Sequence, residues 1–158
     1  MDELALARAL HVLAVVVWIG GVSMATTVAL PAVRRGDLGE DRLKAFHAFE
    51  RRFVWQARAA VVVAGLTGLF MIARMELWDR FADVGFWWMH AMVGVWGLFA
   101  FVLFVGEPFV LQRAFPAWAQ RDPERAFAAL HRVHKLLLVL SLLTIFGAVA
   151  GSHGWLPA

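Results

Sequence analysis

The polar residues of this chain fall into narrow bands separated by long apolar runs. Those runs cover about 9–32, 53–73, 85–105 and 136–152. A bilayer core takes about 20 helical residues at ~1.5 Å rise each, so each run is of spanning length. The pattern predicts an all-α protein, an integral membrane up-and-down four-helix bundle forming a single domain over 1–158. Pro31 and then Arg34-Arg35-Gly36-Asp37 close the first helix, and Asp37 to Asp41 reads as a polar turn. The second helix is predicted to start near Glu40 or Asp41, since acidic residues suit a helix N-terminus. Arg74 to Asp83 forms the next connection. Gly106-Glu107-Pro108 predicts a kink or break in the third helix, with a helical pattern that can run on to Trp118. Asp122, Pro123 and Glu124 form a strong start signal for the fourth.

Composition sharpens this picture. Of 158 residues, 61% are hydrophobic, against roughly 45–50% apolar in soluble domains. Eight tryptophans without a tyrosine fit a chain with two membrane–water interfaces, and Phe86-Trp87-Trp88 reads as part of an aromatic belt. There is no cysteine, which excludes disulfides, iron–sulfur clusters, thiolate metal sites and covalent c-type haem. The first apolar run is longer than a signal-peptide core and lacks a small-residue cleavage site, so it is expected to stay as a membrane helix.

The net charge of +3 points to membrane orientation rather than to nucleic acid, because the basic residues flank the apolar runs. Seven lie between helices one and two and early in helix two (Arg34, Arg35, Arg42, Lys44, Arg51, Arg52, Arg58). Five surround the third-to-fourth connection (Arg113, Arg121, Arg125, Arg132, Lys135). The other side has Arg8, Arg74 and Arg80. Twelve against three places both termini on the outer side.

On this topology the six histidines form two tiers. His11, His90 and His153 lie toward the outer ends of helices one, three and four. His47, His131 and His134 lie at the inner ends of helices two and four. In an up-and-down bundle helices one and three are diagonal, as are two and four. His11 then faces His90 across the bundle, and His47 faces His131 or His134. Diagonal histidines suit bis-imidazole haem b, one haem or two. The tiers are about fifteen residues apart, or ~22 Å, a spacing that would carry electrons across the membrane. Gly20, Gly21, Gly94 and Gly97 are expected to make room for the macrocycle.

Each histidine also fits a plainer role at an interface, hydrogen-bonded or solvated, and His153 reads as a helix-end residue. Arg8, Arg51 and Arg58 are expected to serve haem propionates, with snorkelling an equal reading for Arg58. Met71, Met75, Met89 and Met92 near the outer tier offer an alternative, since thioethers with imidazole suit Cu(I). Gly65-Leu66-Thr67-Gly68 and the Gly147/Gly151 pair are small enough for close helix packing, within the chain or in a homodimer.

Leu10-His11-Val12-Leu13-Ala14-Val15-Val16-Val17-Trp18-Ile19-Gly20-Gly21 resembles the first-helix signature of the CopD-type copper-resistance membrane domain. It is also similar to the HemJ-type protoporphyrinogen oxidases, small four-helix proteins that bind haem b. The resemblance extends loosely over the chain and implies haem-associated positions at His11 and His90. The HemJ pattern carries His-x-Lys in helix three. Here the stretch is His90-Ala91-Met92, with methionine at the lysine position, so the resemblance carries haem binding further than porphyrinogen oxidation.

The expected function is therefore that of a membrane b-type cytochrome exchanging electrons with a quinone or a soluble redox partner in a bacterial inner membrane. Copper handling, a porphyrinogen or quinone oxidoreductase, and a ligand-free helix bundle are the rivals.

Overall fold

Four aspartates start the four helices. In the computed structural model, which describes residues 2–155, α1 spans Glu3–Arg35, α2 Arg42–Arg74, α3 Val84–Arg121 and α4 Pro123–Ser152. Asp2 accepts a hydrogen bond from the Leu4 amide at 3.0 Å, Asp41 from Lys44 at 2.9 Å, Asp83 from Gly85 at 2.8 Å and Asp122 from Arg125 at 3.1 Å. Each satisfies an amide that the first helical turn leaves without an intrahelical partner. Helix α1 ends where Gly36 turns left-handed at φ +78. The Asp37 amide then reaches back to the Ala32 carbonyl at 3.0 Å, a closure that favours glycine.

The helices form an up-and-down ring. Helix α1 packs against α2 and α4, and α3 packs against the same two. Glu3 at the start of α1 pairs with Arg74 at the end of α2 at 2.8 Å. All four helices are long and apolar enough to cross a membrane, and a third or less of each apolar window is buried in the bundle. Leu13, Val16, Leu66, Leu136, Leu143 and Phe146 all stand at 60% exposure or more. So broad an apolar exterior is not tolerated in water. It is what a lipid-facing surface requires, because lipid tails are as apolar as leucine.

The core forms where small residues let backbones approach. Ala57, Ala60 and Ala64 on α2 are buried against Trp18, Ile19 and Val22 of α1. Trp18 meets Phe99 of α3 edge-on, with ring centroids 4.8 Å apart, so the diagonal between α1 and α3 is filled by side chains at this level. The Trp96 ring lies over Gly65, and its indole N–H donates to the Val61 carbonyl at 2.9 Å. Gly147 and Gly151 accept the rings of Trp87 and Trp88, so the small-residue pair serves packing within the chain. At the far end Phe46, Phe115 and Phe127 form a second core with centroids 5.3–5.8 Å apart.

Two segments inside the helices are wound more widely than a regular α-helix. Ala25–Ala29 in α1 and Val102–Ala114 in α3 are π-helical. Gly106-Glu107-Pro108, where a kink or break was expected, lies inside the second π segment, and α3 runs on through it to Arg121, as the helical pattern toward Trp118 allowed. Gly21 holds the Phe53 ring, whereas Gly20, Gly94 and Gly97 open onto space with nothing within 4 Å of where a Cβ would sit.

Candidate functional site

At the end of the bundle that carries the termini, His11 is turned toward α2. Its Nδ1 lies 3.0 Å from the Ala64 carbonyl oxygen and 3.0 Å from Thr67 Oγ1. The Thr67 hydroxyl donates to the Val63 carbonyl at 2.6 Å, so its oxygen is free to accept. Both neighbours are then acceptors, which puts the proton on Nδ1 and leaves the lone pair on Nε2. Gly68 keeps α2 close, since a Cβ there would come within 3.3 Å of the His11 ring. An imidazole anchored through one nitrogen and open at the other is the arrangement of metal-ligating histidines.

His90 is held differently. It is exposed on α3, with Nε2 at 3.0 Å from the Phe81 carbonyl and Nδ1 at 3.3 Å from the Phe86 carbonyl. The Phe81 ring meets it edge-on at 5.4 Å. His90 thus clips the Leu77–Ala82 turn onto α3, and the contacts of His11 and His90 lead to different partners rather than to each other. His153 bonds the Val149 carbonyl at 2.8 Å as a helix-end residue. Arg8 is exposed.

Toward the other end of the bundle, Arg58 of α2 reaches α3. Its guanidinium donates to the Leu103 carbonyl at 2.9 and 3.1 Å and to Glu107 at 2.7 Å. The reason lies in the π segment. There the amide of residue i+5 answers the carbonyl of residue i, and five residues after Leu103 comes Pro108, which has no N–H. The stranded carbonyl, unanswerable by lipid, is taken by Arg58. Trp55 and Phe104 lie 5.5 and 5.6 Å from the guanidinium and shield it further. Gln112 donates to the other Glu107 oxygen. Arg58 thus serves the fold of α3, where it was expected to serve a propionate or the membrane surface.

Helix α1 repeats the device. The Leu30 amide goes to Ala25, so the next carbonyl, Thr26, would need an amide from Pro31. His131 of α4 supplies the donor instead, Nε2 to Thr26 O at 2.9 Å. Its Nδ1 then accepts from Arg34 at 3.3 Å, and Arg34 and Arg42 both bind Glu124, at 2.9 and 3.2 Å. His131 is buried with both nitrogens engaged. His134 bonds the Leu130 carbonyl through Nδ1 at 3.0 Å. His47 pairs with Glu50 at 3.4 Å, while Arg51 is exposed.

The histidines expected to pair by diagonal position are thus each bonded to other partners: His11 to α2, His90 to Phe81 and Phe86, His131 to α1, and His47 and His134 within their own helices. Among the described residues no three His, Cys, Asp or Glu side chains converge on a point that could hold a metal ion. Glu107 and Glu50 escaped the sequence reading. The available signal was a glutamate next to a proline in an apolar helix, at a level where another helix carries a lone arginine. No protein-family model, no curated protein and no solved structure matches this chain.

Proposed function

We propose that this chain is an integral membrane b-type cytochrome in which His11 holds the iron. The observation that carries the reading is the anchoring of His11. Its Nδ1–H is held by Ala64 and Thr67, which orients the ring, raises its basicity and leaves Nε2 as the ligand atom. Haem bound there would supply one-electron redox chemistry. The chain's part is to fix the imidazole, exclude water with the Trp18 and Phe99 layer beneath it, and set the polarity around the iron.

One haem per chain is the reading we carry. His90 remains the expected second ligand, and it would have to release the Phe81 carbonyl to act as one. At the inner tier both nitrogens of His131 are engaged and His47 is turned to Glu50 on its own helix, which leaves His134 as the one inner histidine bonded only to a backbone carbonyl, and we place no second haem on it alone. The excess of Lys and Arg at the end opposite the termini supports an orientation with both termini outside the cytoplasm, in a bacterial-type inner membrane, with a quinone or soluble carrier as electron partner.

The test is the absorption spectrum of detergent-purified protein, oxidised and dithionite-reduced, with haem quantified per chain. A Soret band with a sharp reduced α band, lost in His11→Ala, is expected. A colourless protein after expression with ample haem, or unchanged haem content in His11→Ala, would remove the proposal.

A further inference from the structure

Two carboxyl groups and one guanidinium meet inside the bundle, and their charges do not balance. The Glu107 side chain is 3% exposed and takes the charge of Arg58 at 2.7 Å. Glu50 lies beside Glu107, and its side chain is 6% exposed. One of its oxygens, Oε1, is buried with no hydrogen-bond partner among the described residues. The groups set against Glu50 are His47 on its own helix, Glu107 of α3, and through Glu107 the side chains of Arg58 and Gln112. Arg51 and Arg52, next in sequence, are exposed on other faces of α2.

Two ionised carboxylates side by side in a dry interior repel, and a single guanidinium neutralises only one of them. A proton placed on one converts that repulsion into a hydrogen bond and gives the unpartnered oxygen a role. His47 adds the route. Its Nδ1 faces Glu50, and its side chain is 32% exposed, so one ring nitrogen touches the site while the ring reaches the outside of the bundle.

We infer that Glu50 and Glu107 together hold one exchangeable proton, in a buried proton-binding site loaded through His47. In the loading step the Nδ1–H bond of the His47 imidazolium breaks and an O–H bond forms on Glu50. The imidazole is left neutral and the carboxyl pair is left with one negative charge, which Arg58 balances. Reversal of the same step unloads the site. The inference does not rest on the haem reading. If both hold, the chain binds protons as well as electrons.

The experiment is an infrared titration of the full-length protein in detergent micelles, following the C=O stretch of protonated carboxyl groups, with its exchange into D2O timed. A protonated-carboxyl band that persists at neutral pH is expected in the wild type. It should disappear in Glu50→Gln and also in Glu107→Gln, because either change leaves one carboxylate for one arginine. In His47→Gln the band should remain while its exchange slows by about tenfold or more. Absence of the band in the wild type at neutral pH overturns the site, and so does its survival in either glutamine variant. Unchanged exchange in His47→Gln overturns the route. Should a glutamine variant fail to fold, Glu50→Asp and Glu107→Asp, which keep a carboxyl, should keep the band at a shifted frequency, and an unshifted band in both overturns the site.

Discussion

His131 of α4 donates Nε2–H to the Thr26 carbonyl of α1 at 2.9 Å, filling the place of the amide that Pro31 lacks. Arg58 does the same for Leu103 against Pro108. In both helices a proline lies within or just after a π segment, and a basic side chain from a neighbouring helix closes the gap. The pair of devices ties α1 to α4 and α2 to α3 by polar contacts, where apolar packing alone gives little preference for one helix rotation over another in lipid.

Replacing His131 with leucine should strand the Thr26 carbonyl and remove the acceptor for Arg34, at a cost of about 1–3 kcal/mol. Pro31→Ala restores an amide in position to answer Thr26, so His131→Leu should be less costly in that background, by about 1 kcal/mol. Unfolding in mixed micelles measures the cycle. Equal losses in the two backgrounds would sink the assignment.

Arg58→Met should destabilise more severely, by roughly 3–5 kcal/mol, because it leaves Glu107 charged and buried as well as a carbonyl unanswered. Adding Glu107→Gln removes the carboxylate that Arg58 faced and should return part of the loss. A double variant as unstable as the single one would show that the pair is not the source of the effect.

Glycine positions separate contact from open space. In Gly151→Ala the new Cβ would meet the Trp88 ring, and in Gly65→Ala the Trp96 ring. Overpacking of this kind costs about 1–3 kcal/mol. Gly94→Ala meets nothing within 4 Å and should be neutral or stabilising by about 0.5–1 kcal/mol through the gain in helix propensity. Melting temperatures of the three variants check the order.

Thr67→Val removes one of the two acceptors of the His11 Nδ1–H and leaves the Ala64 carbonyl in place. Under the proposed ligation, haem affinity should fall by about tenfold while the helical content stays unchanged. Haem titration of the apoprotein reads this directly. An unaltered affinity would mean that Thr67 does not position the ring.

The helix ends were legible residue by residue. Asp41 and Asp122 cap α2 and α4 where the sequence places a start, and Gly36 closes α1 after its two arginines. His153 is the helix-end residue its setting suggests. Local chemistry decides such features, so a local reading finds them. At Gly106-Glu107-Pro108 the sequence left a kink, a break and a continuation toward Trp118 all open, because the remedy for the missing amide lies on α2, 45 residues before Leu103. Sequence separation hid the tasks of Arg58 and His131, which lie 45 and 105 residues from the carbonyls they answer, carbonyls whose residue type carries no signal of its own.

The sequence by itself determined that this chain makes four membrane-length helices. Apolar runs of that length cannot leave backbone groups unpaired in lipid, and the helix satisfies them all within one segment. Which side chains meet was decided by the tertiary structure alone. A π turn inserts an extra residue and so rotates every face beyond it relative to the regular 3.6-residue period, and hydropathy does not record that rotation. The pairing of Arg58 with Glu107 and the placing of Glu107 beside Glu50 depend on it, because Glu107 lies within such a segment; the turn of His11 toward Ala64 rather than toward His90 is set by how α1 packs on α2, ahead of either π segment.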